Sequence, residues 1–265
     1  MGRRYRARAR LGERKAVLKS VYILPNLFTT AAMFCGTLAM VRVFQQRLEP
    51  ACWLILAAGV LDVFDGLVAR LTHTESQFGL NYDSLSDLVT FGVSPAVLMM
   101  RFLSHGDAHL IYPYISISSI LYMICGALRL ARFGVQARGE ESKSFTGLPI
   151  PAAAGTVISA FLVFQYYEGA LLRVLPALMV LLGLLMVSRI PYPSLKSVHL
   201  KNRKPFAVLV VIVLFVVILS LLDDYIPQLL LGLFCFYICW GFVRWWRLRK
   251  MTSPPAPPTA TTRSV

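Results

Sequence analysis

The sequence predicts an all-α, polytopic integral membrane protein of about eight transmembrane helices, with both termini in the cytoplasm. Three observations carry this. Of 265 residues, 57% are apolar and 15% charged, against about 25% charged in a soluble domain. Mean hydropathy is +0.63, and the apolar residues gather into runs near the ~20 residues that a helix needs to cross a bilayer. Once those runs are drawn as spans, the basic residues fall almost wholly on one side of the membrane. This composition excludes a water-soluble enzyme and a disordered chain. The net charge of +14 then reads as cytoplasmic segments facing anionic lipid, with no nucleic-acid partner.

Residues 1–20 form a basic cytoplasmic tail or an interfacial helix, with Leu18 on the face that carries Val21 and Tyr22 just beyond it, and with Arg14, Lys15 and Lys19 interspersed. Six spans follow in a core of residues 21–200, at 25–44, 50–72, 76–100, 109–133, 148–167 and 171–188. Two more, at 205–222 and 227–246, occupy residues 201–250, and a Pro-rich tail at 251–265 is expected to be disordered. All but four of the 27 Lys and Arg residues (Arg42, Arg47, Arg101 and Arg173) then lie on the face that holds both termini. A wrong span count would scatter them. The five Cys sit inside apolar stretches without metal-ligand spacing and read as packing residues. Trp240, Trp245 and Trp246 near basic residues read as an interfacial belt.

The second and third spans contain four aspartates, in LDVFDGLVARLTHTESQFGLNYDSLSD. One carboxylate at a helix centre costs about 3 kcal/mol on insertion scales, so four require compensation. Asp62 and Asp65 are spaced i, i+3, and Asp83 and Asp87 i, i+4, so each pair shares a helix face. Folded as a hairpin turning near His73–Glu75, the chain sets Asp62 level with Asp87 and Asp65 level with Asp83. At 1.5 Å rise per residue, those levels lie roughly 18 and 13 Å from the turn. Gly66, Ala69 and Gly79 are small residues close to the acids, which lets the helices or a ligand come near.

Converging carboxylates without His or Cys favour hard divalent ions, two Mg²⁺ or Mn²⁺. Such a pair suits displacement at phosphorus, and Arg70 adds a fixed cation for a phosphate. Intrahelical salt bridges fail on charge count, with one basic residue against four acids. A cation pathway or proton relay stays open on these grounds, since intramembrane carboxylates line those as well. A cation-coupled transporter would, however, need a polar continuation to the outer face, and the remaining spans show none.

Written out, the segment is D-x2-D-G-x2-A-R-x8-G-x3-D-x3-D from Asp62 to Asp87. It resembles, without departure, the signature of the CDP-alcohol phosphatidyltransferases. The resemblance implies a dimeric membrane enzyme with its active site open to the cytoplasm, hence placed in the inner membrane of a bacterial cell. It implies that Asp62, Asp65, Asp83 and Asp87 hold two divalent cations, and that Asp87 also takes the proton of the attacking hydroxyl. Gly66, Arg70 and Ser76 match positions that hold the CDP part of CDP-diacylglycerol, with Ala69 and Gly79 beside them. Asn26 and Thr29, in Pro25–Thr29, resemble a donor-contacting segment.

Residues 83–96, 125–133, 145–155 and 187–197 resemble the bacterial, serine-accepting branch of that family. The expected reaction is therefore transfer of a phosphatidyl group from CDP-diacylglycerol to L-serine with release of CMP. Glycerol 3-phosphate, inositol phosphate and choline are the alternative acceptors. Arg129, Arg132 and Arg189 are candidates to bind serine's carboxylate or a phosphate, or else anchors that snorkel to lipid headgroups.

Overall fold

The computed structural model describes residues 26–71, 76–103, 112–136, 147–165, 174–192 and 225–251. Among them are eight α-helices and one π-helical segment. The first helix, α1, is Asn26–Phe44, and α2 is Leu48–Leu71. The third span is composite: α3 at Gln77–Asp87 runs into a π-helix at Leu88–Val93 and then α4 at Ser94–Leu103. There follow α5 at Tyr112–Gln136, α6 at Ile150–Phe164, α7 at Leu175–Val187 and α8 at Ile226–Met251.

Among the described residues, five stretches are long and apolar enough to cross a membrane: Asn26–Phe44, Leu48–Ala69, Gln77–Phe102, Pro113–Val135 and Ile226–Arg247. They correspond to the first four and the last of the expected spans. Two shorter apolar helices, α6 and α7, fall inside the expected fifth and sixth spans. The expected seventh span at 205–222 lies outside the described residues, as do the basic tail at 1–20, the hairpin turn at 72–75 and the Pro-rich tail beyond Met251.

Helix α6 is the hub. Residues 153–163 are all buried, and α6 packs against α2, the π segment, α4, α7 and α8. A helix that is apolar all round has no lipid face to reserve, so it belongs in the middle. The periphery is apolar too: Phe34, Ile117, Leu181, Leu184, Phe236 and Trp240 all point outward. Water would not tolerate that surface, whereas lipid does.

Two features pin the bundle. A row of hydroxyls at i, i+4 and i+8 stitches the third span to α1. Ser86 Oγ donates to the Thr29 carbonyl at 3.1 Å, Thr90 Oγ1 to Ala32 at 3.5 Å, and Ser94 Oγ to Gly36 at 3.0 Å. The backbones can approach this closely because residue 36 is glycine. A Cβ there would sit 2.7 Å from Thr90 Oγ1 and 2.8 Å from its Cα. The second feature is the entry to α6. Gly147 has φ +90, and a Cβ on it would lie 2.2 Å from the Met186 carbonyl oxygen. Its N–H donates to Ile190 at 2.9 Å, and that of Leu148 to Leu185 at 3.1 Å. The strap holds the start of α6 against the end of α7, where the last carbonyls of a helix need donors.

Candidate active site

Helices α2 and α3 place the four aspartates. Carboxylate oxygens of Asp62, Asp83 and Asp87 lie within 4.8 Å of one another. Asp65 lies close enough to Asp62 and Asp83 to feel both charges, but it is directed elsewhere. It is buried, and its Oδ2 accepts a hydrogen bond from Thr29 Oγ1 at 2.8 Å. Three of the four predicted ligands thus form one group, and the fourth ties that group to α1. Thr29 is itself fixed, because its carbonyl receives Ser86 Oγ. The stacked rings of Phe28 and Phe64, with centroids 6.3 Å apart, hold α1 and α2 together beside it.

Asp87 is the last α-helical residue before the π segment. Wide turns of this kind recur at functional sites because they redirect side chains and release backbone groups. Here the Phe91 carbonyl accepts from the buried Tyr122 hydroxyl at 3.0 Å, and Ser94 Oγ donates to the Val89 carbonyl at 2.9 Å. The register of everything after Asp87 is set by these contacts.

Several residues expected from the sequence to contact the donor gather at the other end of α3. Ser76 caps the helix, its hydroxyl accepting from the Gly79 N–H at 3.0 Å. Asn26 adjoins them: a Cβ on Gly79 would stand 3.1 Å from Ser76 Oγ and 3.4 Å from Asn26 Oδ1. Gly66 and Ala69 lie on α2, next to Asp65 and one turn beyond it. Arg70 follows on the same helix, and its side chain lies outside the described residues.

The three other arginines separate. Arg129 on α5 is half-buried and interacts electrostatically with Asp87 and Asp62. Arg132, one turn away, donates from NH1 to the Val187 carbonyl at 3.0 Å, which caps the end of α7. Arg189 is exposed. Residues not singled out from the sequence also adjoin the site. Tyr82 hydrogen-bonds Thr30 at 2.9 Å, and Tyr237 of α8 interacts electrostatically with Arg129. The hydroxyl row at 86, 90 and 94 carried a readable signal, a polar stripe at helical spacing on an apolar span. Tyr237 had none, being one aromatic among many.

Oxygens bound to one Mg²⁺ or Ca²⁺-sized ion at about 2.0–2.6 Å can be no more than about 4–5 Å apart. The trio offers oxygen donors alone within 4.8 Å, a set that could hold a hard divalent cation. The fold and site thus define a helical membrane protein whose second and third apolar helices bring together an acidic centre that could hold a divalent cation.

The family model for CDP-alcohol phosphatidyltransferase matches residues 22–188. The chain belongs to that family of enzymes. It is 37% identical over 231 residues to a CDP-diacylglycerol–serine O-phosphatidyltransferase of Helicobacter pylori, covering 86% of this chain and 93% of that protein. The Bacillus subtilis protein of the same name is 34% identical over 186 residues, 68% of this chain and 94% of that one. An archaetidylserine synthase of Methanothermobacter thermautotrophicus is 38% identical over 179 residues, 66% of this chain and 72% of that one.

Proposed function

We propose that this enzyme transfers the phosphatidyl group of CDP-diacylglycerol to the hydroxyl of L-serine, giving phosphatidylserine and CMP. The observation that carries the acceptor is the similarity to relatives named for serine, which extends over 86% of the chain in the Helicobacter pylori protein. The carboxylate trio supports the chemistry. Divalent cations held by Asp62, Asp83 and Asp87, with Asp65 beside them, would neutralise the donor's diphosphate. Asp87 accepts the proton of the serine hydroxyl, whose oxygen forms a bond to the lipid-side phosphorus. The anhydride bond to that phosphorus breaks, and CMP leaves with the electron pair. Asn26, Thr29, Gly66, Ala69, Arg70, Ser76 and Gly79 shape the donor side. Arg129 faces the proton-accepting side, where a guanidinium complements a carboxylate.

Incubating purified enzyme with labelled CDP-diacylglycerol and serine, glycerol 3-phosphate, inositol phosphate or choline tests the reading. Serine alone should give rapid CMP release and a labelled phospholipid. Transfer to glycerol 3-phosphate instead would keep the family and discard the acceptor.

The proposed topology has eight spans, six in a core of residues 21–200 and two in 201–250, in an inner membrane, as a homodimer. The charge distribution supports cytoplasmic termini and a cytoplasmic opening of the site. A reporter fused at the C-terminus should then be cytoplasmic, and one inserted within residues 104–111 should face the outside. The reverse result would overturn the orientation.

A further inference from the structure

We propose that Tyr237 on α8, backed by Tyr192, forms with Arg129 the wall of the site that reads the acceptor's carboxylate. This rests on the serine-transfer reading above and deepens it. It also gives the C-terminal helix, beyond the family match at 22–188, a part in substrate choice.

A chain of polar groups links the carboxylate cluster to α8. Arg129 interacts electrostatically with Asp87, with Tyr237 and with Asp62. The Tyr237 ring stacks on that of Tyr192, with centroids 5.9 Å apart and planes at 28°. Tyr192 is 4% exposed, and its hydroxyl has no hydrogen-bond partner among the described residues. Buried hydroxyls are almost always satisfied, so one that is not calls for a ligand or another explanation.

The arrangement is built, not incidental. A Cβ on Gly241 would fall 2.3 Å from Tyr192 ring carbons, so glycine is needed on α8 for that ring to lie where it does. On the facing side of α8, Phe234 covers Gly155 of α6, where a Cβ would meet its ring at 2.1 Å. These two contacts set the rotation of α8. They turn Tyr237 toward the protein, while Phe236 and Trp240 point outward.

The α1 side of the cluster is already committed. Thr29 holds Asp65 there, and Asn26, Ser76 and Gly79 come together nearby. The acceptor is left the side of Asp87 and Arg129. A guanidinium and a phenolic O–H both donate, and a carboxylate accepts from both. A phosphate oxygen has the same chemistry, so the donor's diphosphate is the competing occupant.

The test uses the full-length enzyme in lipid nanodiscs with Tyr237→Phe and Tyr192→Phe, which keep the rings. Losing a hydrogen bond to a charged group should raise KM for serine by at least about tenfold in Tyr237→Phe. KM for CDP-diacylglycerol should stay within about twofold, and kcat at saturating serine should remain near wild type, which shows that the variant is folded. Serine methyl ester lacks the carboxylate, so preference for serine over the ester should shrink in the variant. A rise in KM for CDP-diacylglycerol instead would place the phenols on the donor and overturn the proposal. Unchanged KM for serine in both variants would overturn it alone, leaving serine transfer intact. Wild-type enzyme that ignores serine would overturn both.

Discussion

Purified enzyme stripped of divalent ions is expected to release no CMP, and to recover when Mg²⁺ or Mn²⁺ is returned. The reason is the charge held by Asp62, Asp83 and Asp87, whose oxygens lie within 4.8 Å of one another. Two unit charges 4 Å apart repel by about 4 kcal/mol at an effective dielectric constant of 20. A diphosphate entering that cluster adds further negative charge, and the guanidinium of Arg129, which interacts with Asp87 and Asp62, cannot offset both it and the aspartates. The donor should therefore fail to bind productively rather than merely react slowly. Titration of the stripped protein with Mn²⁺, followed by CMP release and by the metal's magnetic resonance signal, should show both rising together. Full turnover in chelator would remove metal from the mechanism.

Asp87→Asn should lower kcat by about 10²–10⁴-fold, the usual contribution of a positioned general base. Asparagine preserves the volume at the junction of α3 and the π segment, so packing should survive. The amide cannot take the serine proton, and it is a weaker cation ligand than the carboxylate. Asp83→Asn separates the two effects, since Asp83 shares the cluster without the proposed proton transfer. Raised Mn²⁺ should restore much of the activity of Asp83→Asn and little of that of Asp87→Asn. Near-normal turnover in Asp87→Asn would assign the proton to another group.

The hairpin was legible because its information is local. Helical spacing alone puts Asp62 with Asp65 and Asp83 with Asp87 on common faces, and an antiparallel fold brings the faces together. The long apolar runs announced themselves for the same reason: an isolated helix in lipid must satisfy its own backbone and cover it with apolar side chains. The family followed from the same stretch, where eight specified positions lie within one hairpin.

The sequence by itself thus determined a helical membrane enzyme and its acidic centre. Only the tertiary structure decided how the parts divide their work. Asp65 turns to Thr29, 36 positions away, and no local pattern foretells that partner. Arg129 and Arg132 differ by less than one turn, yet one faces aspartates and the other a helix end. Hydroxyls on and beside the π segment meet α1 carbonyls 57 and 58 residues distant. Gly155 and Gly241 admit the rings of Phe234 and Tyr192, and so set how α8 docks. Periodicity tells which residues share a face; which face meets which is settled by steric fit between helices far apart in the chain.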